Sequence, residues 1–437
     1  MLIYTQTITP RLQNITDFSG KDIIGKPFEL TTDRDYFLKY ENAKINYSAE
    51  RISAEEFWIK PHSLLFENKI SEQSIQCFNV NDQKAFFKTE GDFPFDIFAA
   101  SFYLLSRYEE YLPHQKDMYG RYAHENSLAF KEDFLDQPLI NIWLKDFKSL
   151  LISKFPYSPL TTHHSPFTFL PTYDIDIAWS YTHKGWWRIA GGLAQSLIKG
   201  NWKHFKERIN VLQEKQKDPF DSYSWLNQLH ELYKIKPFYF FLVAEKNGKY
   251  DKNISPRQRA LRELIKDHLI RYNIGIHPSW RSGDEQSLLK KEIDSLQTIT
   301  GNKVFSSRQH YIRFSLPETF RRFIDNGIQF DYSMGYGSNN GFRASVASSF
   351  YWYDLEKEKQ TELMLFPFCY MEANSFYEQK YSAEQALDEM RHYYEEVKSV
   401  NGTFIMIWHN HFLGTDKLYE GWREVYEQFI REVGEKL

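Results

Sequence analysis

Cysteine is scarce in this chain: only Cys77 and Cys369 occur among its 437 residues. Their wide separation matches neither a metal-binding pair nor a redox motif, and we expect no disulfide framework. No stretch approaches the roughly 18–20 consecutive apolar residues that a transmembrane helix needs. The first residues also lack the basic and long apolar segments of a signal peptide. The sequence therefore predicts a cytoplasmic protein without a membrane span.

An excess of either charge is missing as well. Lysine and arginine together number 54 and aspartate and glutamate 58, which gives a net charge of −4. The charges are interspersed, and no basic stripe marks a nucleic-acid interface, so we expect no nucleic-acid partner. Aromatic residues, by contrast, make up 17% of the chain. Aromatic faces suit sugar rings, but most such side chains fill protein cores, so composition alone does not select a carbohydrate ligand.

The chain is longer than one hydrophobic core usually serves, which predicts two domains. Residues 1–160 are typical of a smaller mixed α/β domain of unknown role, with one apolar, buried helix starting near residue 95. Three prolines and the absence of periodicity mark residues 156–166 as the boundary. Residues 161–437 form the second predicted domain.

Alternating strands and helices characterise the second domain. Short runs rich in β-branched or aromatic residues recur at residues 167–176, 238–244, 274–279, 304–311, 328–334, 363–370 and 403–411. Helical segments separate most of them, and one begins with a capping box formed by Ser382 and Gln385. This pattern predicts an α/β fold with a parallel sheet. Seven units over about 270 residues fit a (β/α) barrel better than a small open sheet, which remains an alternative.

Reactive side chains lie at the ends of these runs. They are Asp174, Asp176, His277, Arg308, His310, His409 and His411. In barrels of alternating strands and helices, the chemistry lies at the carboxyl ends of the strands. We therefore predict a functional site there.

Asp174 and Asp176 are two residues apart, so on a strand both carboxylates face one side while Ile175 faces the other. Two like charges this close need a cation or hydrogen-bond donors, unless the strand end opens into water. His277 ends an apolar run, and a lone histidine there is more often a packed residue than a ligand. Beside two carboxylates, it becomes a candidate ligand for zinc or a similar divalent ion.

Alternation places Arg308 and His310 on one face of the fourth run. The arginine could hold a catalytic carboxylate ionised through paired hydrogen bonds, or it could form a surface salt bridge. His409 and His411 follow the strongly apolar residues 403–408. We favour His409 for the site, because His411 belongs to the turn that follows.

Residues 172–176, His277, Arg308 and His409 together resemble the NodB-homology polysaccharide deacetylases of carbohydrate esterase family 4. The resemblance covers about residues 165–415, and it is to the long bacterial members with an N-terminal domain of unknown function. It implies a distorted (β/α)7 barrel that binds a divalent metal through one aspartate and two histidines. By position, the roles implied are catalytic base for Asp174, metal ligand for Asp176, first histidine of an H-x-x-x-H segment for His277, tether of the base for Arg308 and general acid for His409.

One position departs from the family. Arg281 stands four residues after His277, where the second histidine of the segment is expected. His310 occupies the place where the family usually has a proline, and its side chain should point inward with Arg308. We therefore predict that His310 completes the metal site with Asp176 and His277.

The resemblance implies a hydrolase that removes an acetyl group, N-acetyl in preference to O-acetyl, from an amino sugar, oligosaccharide or glycan precursor. The nucleophile would be a water bound to a divalent metal, with zinc the first choice and cobalt or nickel the next. Asp174 would take a proton from that water, and His409 would give one to the leaving amine. Four further side chains are predicted to contact the substrate: Tyr173, Trp280, Tyr311 and Arg343. No oligomeric state is predicted.

Two other functions compete with this hypothesis. A non-catalytic glycan-binding or scaffolding protein on a deacetylase fold would explain the presence of Arg281. A glycosyltransferase could use Asp174 and Asp176 as a D-x-D motif for a metal and a sugar nucleotide. That second alternative leaves the histidines without a role. Bound metal and released acetate distinguish the three functions.

Overall fold

The computed structural model describes residues 1–157, 166–198, 200 and 202–435, which form an α/β protein. The region before residue 158 is mixed α/β, as its sequence indicates. Its strands are β1 (Leu2–Thr5), β2 (Glu29–Thr31), β3 (Lys44–Tyr47), β4 (Phe57–Ile59), β5 (Phe78–Val80) and β6 (Gln83–Ala85). Its helices are α1 (Pro10–Asp17), α2 (Arg34–Lys39), α3 (Ile97–Leu105), α4 (Leu128–Lys131) and α5 (Leu139–Lys154).

Local sequence accounts for the helices that matter most to the packing of this region. The Thr9 side chain accepts the N–H of Leu12 at the start of α1, and Pro10 occupies a first-turn position where its missing N–H costs nothing. Every residue of α3 is buried, as its apolar sequence predicts. Four strands form a parallel sheet in the order β2-β1-β3-β4, and β5 and β6 form a separate hairpin.

The region from residue 166 onward alternates strands and helices. Its strands are β7 (Thr168–Ile175), β8 (Phe238–Phe241), β9 (Asn273–Ile276), β10 (Ser306–Ser307), β11 (Phe330–Asp331), β12 (Phe350–Asp354), β13 (Lys359–Leu365), β14 (Tyr370–Met371) and β15 (Thr403–His409). Its helices are α6 (Trp186–Ile198), α7 (Trp202–Leu212), α8 (Tyr223–Leu232), α9 (Arg259–Arg271), α10 (Gln286–Thr300), α11 (Glu318–Asp325), α12 (Ala383–Ser399) and α13 (Trp422–Gly434). The predicted capping box of Ser382 and Gln385 starts α12 and is confirmed.

These nine strands form one sheet in the order β12-β13-β11-β10-β9-β8-β7-β15-β14. All neighbours in it are parallel except β12, which pairs antiparallel with β13. The sequence did not predict β12. Strand β12 follows a loop and pairs with β13, the next strand along the chain. It is therefore not preceded by a helix, which was the signal used to predict strands.

The predicted strand over residues 363–370 is wrong, because two strands at opposite ends of the sheet share that run. Leu365 ends β13 near one edge, and Tyr370 begins β14 at the other edge. Five residue steps span at most about 17 Å, so the two ends of the sheet lie close together and the sheet is strongly curled. Within the described residues, its hydrogen bonding does not close between these ends. A closed barrel therefore stays a prediction.

The N-terminal region packs directly against the large sheet. Arg11 of α1 pairs with Glu358 in the β12–β13 turn, at 2.5 Å between Nη2 and Oε1. The N–H of Phe342 donates to the carbonyl of Leu135 at 2.7 Å. One contiguous cluster of buried apolar side chains runs from Ile3 to Val433 through both regions. The proposed boundary between residues 160 and 161 lies outside the described residues, so the division 1–160 and 161–437 stays a prediction.

The carboxyl ends of the parallel strands meet at one edge of the sheet. Strands β7, β9, β10 and β15 end there at Ile175, Ile276, Ser307 and His409. The reactive residues found in the sequence thus follow the ends of neighbouring strands. Among the described residues, the helices are too short or too polar to cross a bilayer.

Candidate metal centre

Asp176 lies at the centre of three imidazoles. Its Oδ1 is 3.1 Å from Nε2 of His277, and its Oδ2 is 3.2 Å from Nε2 of His310 and 3.4 Å from Nε2 of His409. Asp176 directly follows β7, His277 follows β9 and His310 follows the end of β10, so pairing of these strands assembles the group. The carboxylate and the imidazoles of His277 and His310 offer ligand atoms within 4.8 Å of one another.

The second nitrogen of each imidazole is held by an acceptor. Nδ1 of His277 lies 2.6 Å from the carbonyl of Arg308, and Nδ1 of His310 lies 2.8 Å from Oδ1 of Asp251. A carbonyl and a carboxylate accept hydrogen bonds, so each Nδ1 carries the proton. The lone pair of each neutral imidazole is therefore on Nε2, the nitrogen that faces Asp176. Such outer contacts fix the orientation of histidines that bind metals.

Two atoms in this group are buried without a hydrogen bond. They are Oδ1 of Asp176 and Nε2 of His277, and neither has a hydrogen-bond partner within the described residues. Buried polar atoms normally have partners, because an unsatisfied one costs free energy. A cation between them would satisfy both. One carboxylate and two neutral imidazoles match the protein ligands of a catalytic divalent metal, so the residues present fit a metal.

Asp174 has different surroundings. Its Oδ1 accepts a hydrogen bond from Nη1 of Arg308 at 3.0 Å, and the same Nη1 also donates to the hydroxyl of Thr172 at 2.7 Å. Nε of Arg308 donates to the carbonyl of Tyr332 at 3.1 Å. The guanidinium is fully buried and also lies 4.4 Å from the ring centre of Phe240. The arginine thus fixes Asp174 in place and balances its charge.

His409 is held by a carboxylate that the sequence analysis did not find. Oε1 of Glu372 lies 2.6 Å from Nδ1 of His409 and accepts the backbone N–H of the same residue at 2.7 Å. Glu372 is fully buried just beyond β14, the strand next to β15. The pair presents Nε2 of His409 toward Asp176.

The charges in the group move the pKa values of its members. Burial raises the pKa of Asp176, but His310, His409 and His277 outweigh burial and bring it well below its usual range. Burial lowers the pKa of His310, yet without a cation in the group Asp176 and Asp251 raise it to about 10, so a metal would replace a proton on its Nε2. Burial also lowers the pKa of His409, and Glu372 and Asp176 raise it to about 9 in the same setting. Both carboxylates thus favour the protonated form of His409.

Arg281 lies outside the group. Its side chain is 64% exposed and forms an ion pair with Glu285 at 2.7 Å. His310 stands on a turn where the next two residues, Tyr311 and Ile312, have φ values of 60° and 53°. This left-handed backbone is unfavourable for residues with side chains. The turn brings His310 to Asp176 beside His277, where the sequence analysis expected it.

Two of the residues predicted to contact substrate lie elsewhere, which corrects those predictions. Tyr173 faces the opposite side of β7 and is buried, with its hydroxyl 2.7 Å from Nε2 of His230 and in contact with the hydroxyl of Tyr426. Arg343 is buried beneath the N-terminal region and binds Glu110 through Nε at 2.8 Å and Nη2 at 2.6 Å. Neither side chain is free to contact a substrate at Asp176.

Trp280 and Tyr311 are half-buried near the group. The ring centre of Tyr311 lies 4.7 Å from that of His310. Trp280 adjoins Asp251, whose Oδ1 accepts its backbone N–H at 3.0 Å. Their contact with a substrate stays a prediction that this placement permits.

Asp251 and Glu372 are the side chains at the candidate site that the sequence pattern did not predict. Asp251 lies in the loop after β8, a segment without a strand pattern. Glu372 lies two residues beyond Tyr370, the end of the sixth predicted run, and that place at a strand end is the one signal that could have found it.

Comparisons with known proteins give partial likenesses. A family model described as a family of unknown function (DUF7033) matches residues 1–156, which is less than half of the chain. No curated protein matches the sequence. The family model therefore concerns the N-terminal region and assigns it no role.

Three solved structures overlap with the protein in part. One from Mycobacterium smegmatis, described as a polysaccharide deacetylase, is 12% identical, covers 63% of this chain and 86% of its own, and has a TM-score of 0.39. One from Pseudomonas aeruginosa PAO1, also described as a polysaccharide deacetylase, is 10% identical, with coverages of 61% and 84% and a TM-score of 0.38. One from Parabacteroides distasonis, described as a glycoside hydrolase/deacetylase, is 11% identical, with coverages of 63% and 69% and a TM-score of 0.36. Because these identities and TM-scores are low, any function proposed for the protein rests on the residues of the candidate metal centre.

Proposed function

We propose that the protein is a metal-dependent hydrolase that removes an acetyl group, N-acetyl in preference to O-acetyl, from an amino sugar, oligosaccharide or glycan precursor. The observation that carries this proposal is the grouping of Asp176, His277 and His310, with Asp174 and His409 beside it. We also propose that the curled sheet is a distorted (β/α)7 barrel and that the protein is cytoplasmic.

Asp176, His277 and His310 would hold a divalent ion, zinc in the first instance. When bound, that ion would supply an activated water and polarise the acetyl carbonyl. Asp251 and the carbonyl of Arg308 keep the two histidines in the tautomer that can bind a metal.

Asp174 would act as the base. Arg308 donates to its Oδ1, while Oδ2 lies 3.8 Å from Nε2 of His277, on the side of the proposed ion. Oδ2 would accept a proton from water as the water oxygen attacks the acetyl carbon.

His409 would act as the acid. Burial lowers the pKa of His409, but Glu372, which is not a proposed ligand, raises that pKa and favours a protonated Nε2. As the bond between the acetyl carbon and nitrogen breaks, Nε2 would give its proton to the departing amine. Acetate and a free amino sugar would be the products.

A second candidate is a non-catalytic glycan-binding protein, favoured by Arg281 in place of a histidine. The grouping of His310 with Asp176 weakens this candidate, because it restores a three-residue ligand set. A glycosyltransferase would give no role to Arg308, His277 or His409.

Metal reloading and an acetate assay test the proposal. The protein would be stripped with a chelator, reloaded with zinc, cobalt or nickel, and assayed for bound metal and for acetate release from N-acetylglucosamine and its oligomers. We expect about one metal per chain and acetate release that the chelator abolishes. Arg281→Ala is the control and should retain both, because Arg281 is exposed and ion-paired away from the group. Bound metal without acetate release would favour the glycan-binding candidate, and failure to bind any metal would overturn the proposed centre.

A further inference from the structure

Four half-buried aromatic side chains form a continuous cluster beside His310. We call Tyr119, Tyr250, Trp280 and Tyr311 the rim cluster. The ring centre of Tyr311 lies 5.2 Å from that of Tyr250 and 5.1 Å from that of Tyr119, and Tyr250 lies 4.9 Å from Trp280. Three of these residues follow strands β8, β9 and β10, whereas Tyr119 belongs to the N-terminal region.

Hydrogen bonds within the loop that carries Tyr119 fix its conformation. Oδ1 of Asp117 accepts the backbone N–H groups of Tyr119 at 2.9 Å and of Arg121 at 3.0 Å. Gly120 has a φ of 79°, a conformation that favours glycine. Beyond it, a bridge between Lys116 and Tyr122 closes the loop. The position of Tyr119 is thus set before any ligand arrives.

Two arginines attach this loop to the turn that carries His310. Nη1 of Arg121 donates to the carbonyl of Tyr311 at 3.1 Å. In the other direction, Nε of Arg313 donates to the carbonyl of Tyr119 at 3.2 Å. These reciprocal contacts hold the Tyr119 ring against Tyr311. A preorganised surface loses little entropy when it binds a ligand.

The exposure of the rim cluster distinguishes it from core packing. Tyr173 and Tyr239 are fully buried in the layer outside the sheet. The four residues of the rim cluster remain partly open to solvent, although they contact one another. Partly exposed aromatic side chains with polar tips suit a ligand that is apolar on one side and polar at its edges. A sugar ring has this character.

We propose that the rim cluster binds a sugar unit adjacent to the one that is deacetylated, and that Tyr119 gives the N-terminal region a direct part in recognising the glycan. This inference rests on the proposed function, which places an acetylated sugar at Asp176. It assigns a task to a region that no comparison explains. It also implies a preference for oligosaccharides over single sugars, since a single sugar at Asp176 would leave the cluster empty.

A comparison of substrate lengths tests the inference in the zinc-loaded full-length protein. Tyr119→Ala should lower the ratio of kcat/KM for the N-acetylglucosamine tetramer to that for N-acetylglucosamine about tenfold, as loss of one aromatic contact predicts. The loss should appear mainly in KM for the tetramer. Tyr119→Phe should retain most of the length preference. Tyr36→Ala is the matched control, because Tyr36 is a 44% exposed tyrosine of α2 in the same region.

Binding in an inactive background separates failure of the inference from failure of the proposed function. Calorimetry with Asp174→Asn should give a Kd for the tetramer that rises about tenfold when Tyr119→Ala is added. Tetramer binding that depends on Tyr119 without any acetate release would support the subsite and overturn the hydrolase. An unchanged length preference in Tyr119→Ala, or absence of tetramer binding, would overturn the subsite. Loss of bound metal in Tyr119→Ala would also overturn it, because Tyr119 would then act by supporting the His310 turn.

Discussion

Asp174 lies in β7 and Asp176 directly follows that strand, yet their charges are balanced in opposite ways. Asp174 is paired with Arg308, a permanent cation that cannot bind a metal. Asp176 is surrounded by imidazoles, which can give up a proton and accept a metal in its place. The comparison teaches that two neighbouring carboxylates can be assigned different tasks from their counter-charges alone. Under the proposed function, the same residue type would serve as base in one setting and as ligand in the other.

Removing the carboxylate of Asp176 should have the largest effect. Asp176→Asn should lose acetate release and weaken metal binding by more than about a hundredfold, because a first ligand is at least as important as its outer contacts. Metal analysis after gel filtration and a titration with zinc would measure this. If Asp176→Asn binds zinc as tightly as the parent, the two carboxylates no longer differ in the roles proposed for them.

Asp174→Asn should separate catalysis from metal binding. We expect kcat to fall about a thousandfold, as for loss of a general base, while the metal content stays at the parent level. Asparagine keeps the shape and can still accept from Arg308, so the variant should fold. Turnover at the parent rate would rule out Asp174 as the base.

Glu372→Gln should give a smaller loss of about tenfold to a hundredfold in kcat, since it leaves His409 in place but removes its charged partner. Burial lowers the pKa of His409 and Glu372 raises it, so loss of the Glu372 charge should lower that pKa from about 9. The basic limb of the kcat profile against pH should therefore shift to lower pH. A reduced kcat with an unshifted profile would indicate that Glu372 acts only by packing.

Glu110→Gln should leave catalysis nearly unchanged, because Glu110 pairs with Arg343 and Arg107 under the N-terminal region. Burial raises the pKa of Glu110, but these arginines outweigh burial and lower it to about 2. A carboxylate whose pKa is lower in the folded state stabilises the fold at pH values above its unfolded-state pKa. That stability is lost as the pH falls through the folded-state pKa. Denaturant unfolding should show a loss of about 3–5 kcal/mol at pH 7 that shrinks between about pH 4.5 and 2.

The matched control for this last prediction is Glu125→Gln, whose side chain is 60% exposed. Its free energy of unfolding should stay close to that of the parent at every pH. If Glu110→Gln behaves in the same way, the arginine pairing contributes nothing to stability. A permanent cation would then stabilise a buried carboxylate less than the contrast between Asp174 and Asp176 implies.

The sequence predicted the parts of the site that follow apolar strands. Asp174, His277, Arg308 and His409 all come at the ends of such runs, so strand pairing alone brings them together. The alternation that placed Asp174 and Asp176 on one face also places Tyr173 on the other. Its assignment to the substrate therefore conflicted with the pattern from the start.

Other features depend on contacts distant in sequence. Arg343 pairs with Glu110, which is 233 residues away in the sequence, and no local sequence pattern predicts this pair. Asp251 approaches His310 from a loop without strand character. The division of residues 363–370 into β13 and β14 did have a local signal, because Pro367 lies between them. A proline interrupts a strand ladder, since it has no N–H to donate.

The packing of α1 and α3 against the β12–β13 hairpin has a consequence for how the chain can be divided. Phe18 lies 6.4 Å from Phe350 and Phe102 lies 5.2 Å from Tyr353, between ring centres, so the N-terminal region shields the outermost strand of the large sheet. A fragment limited to residues 166–435 would leave that strand and its apolar side chains uncovered. Uncovered edge strands recruit further strands from other molecules. The first 157 residues therefore protect this edge against self-association, and a fragment limited to residues 166–435 is expected to precipitate when produced without them.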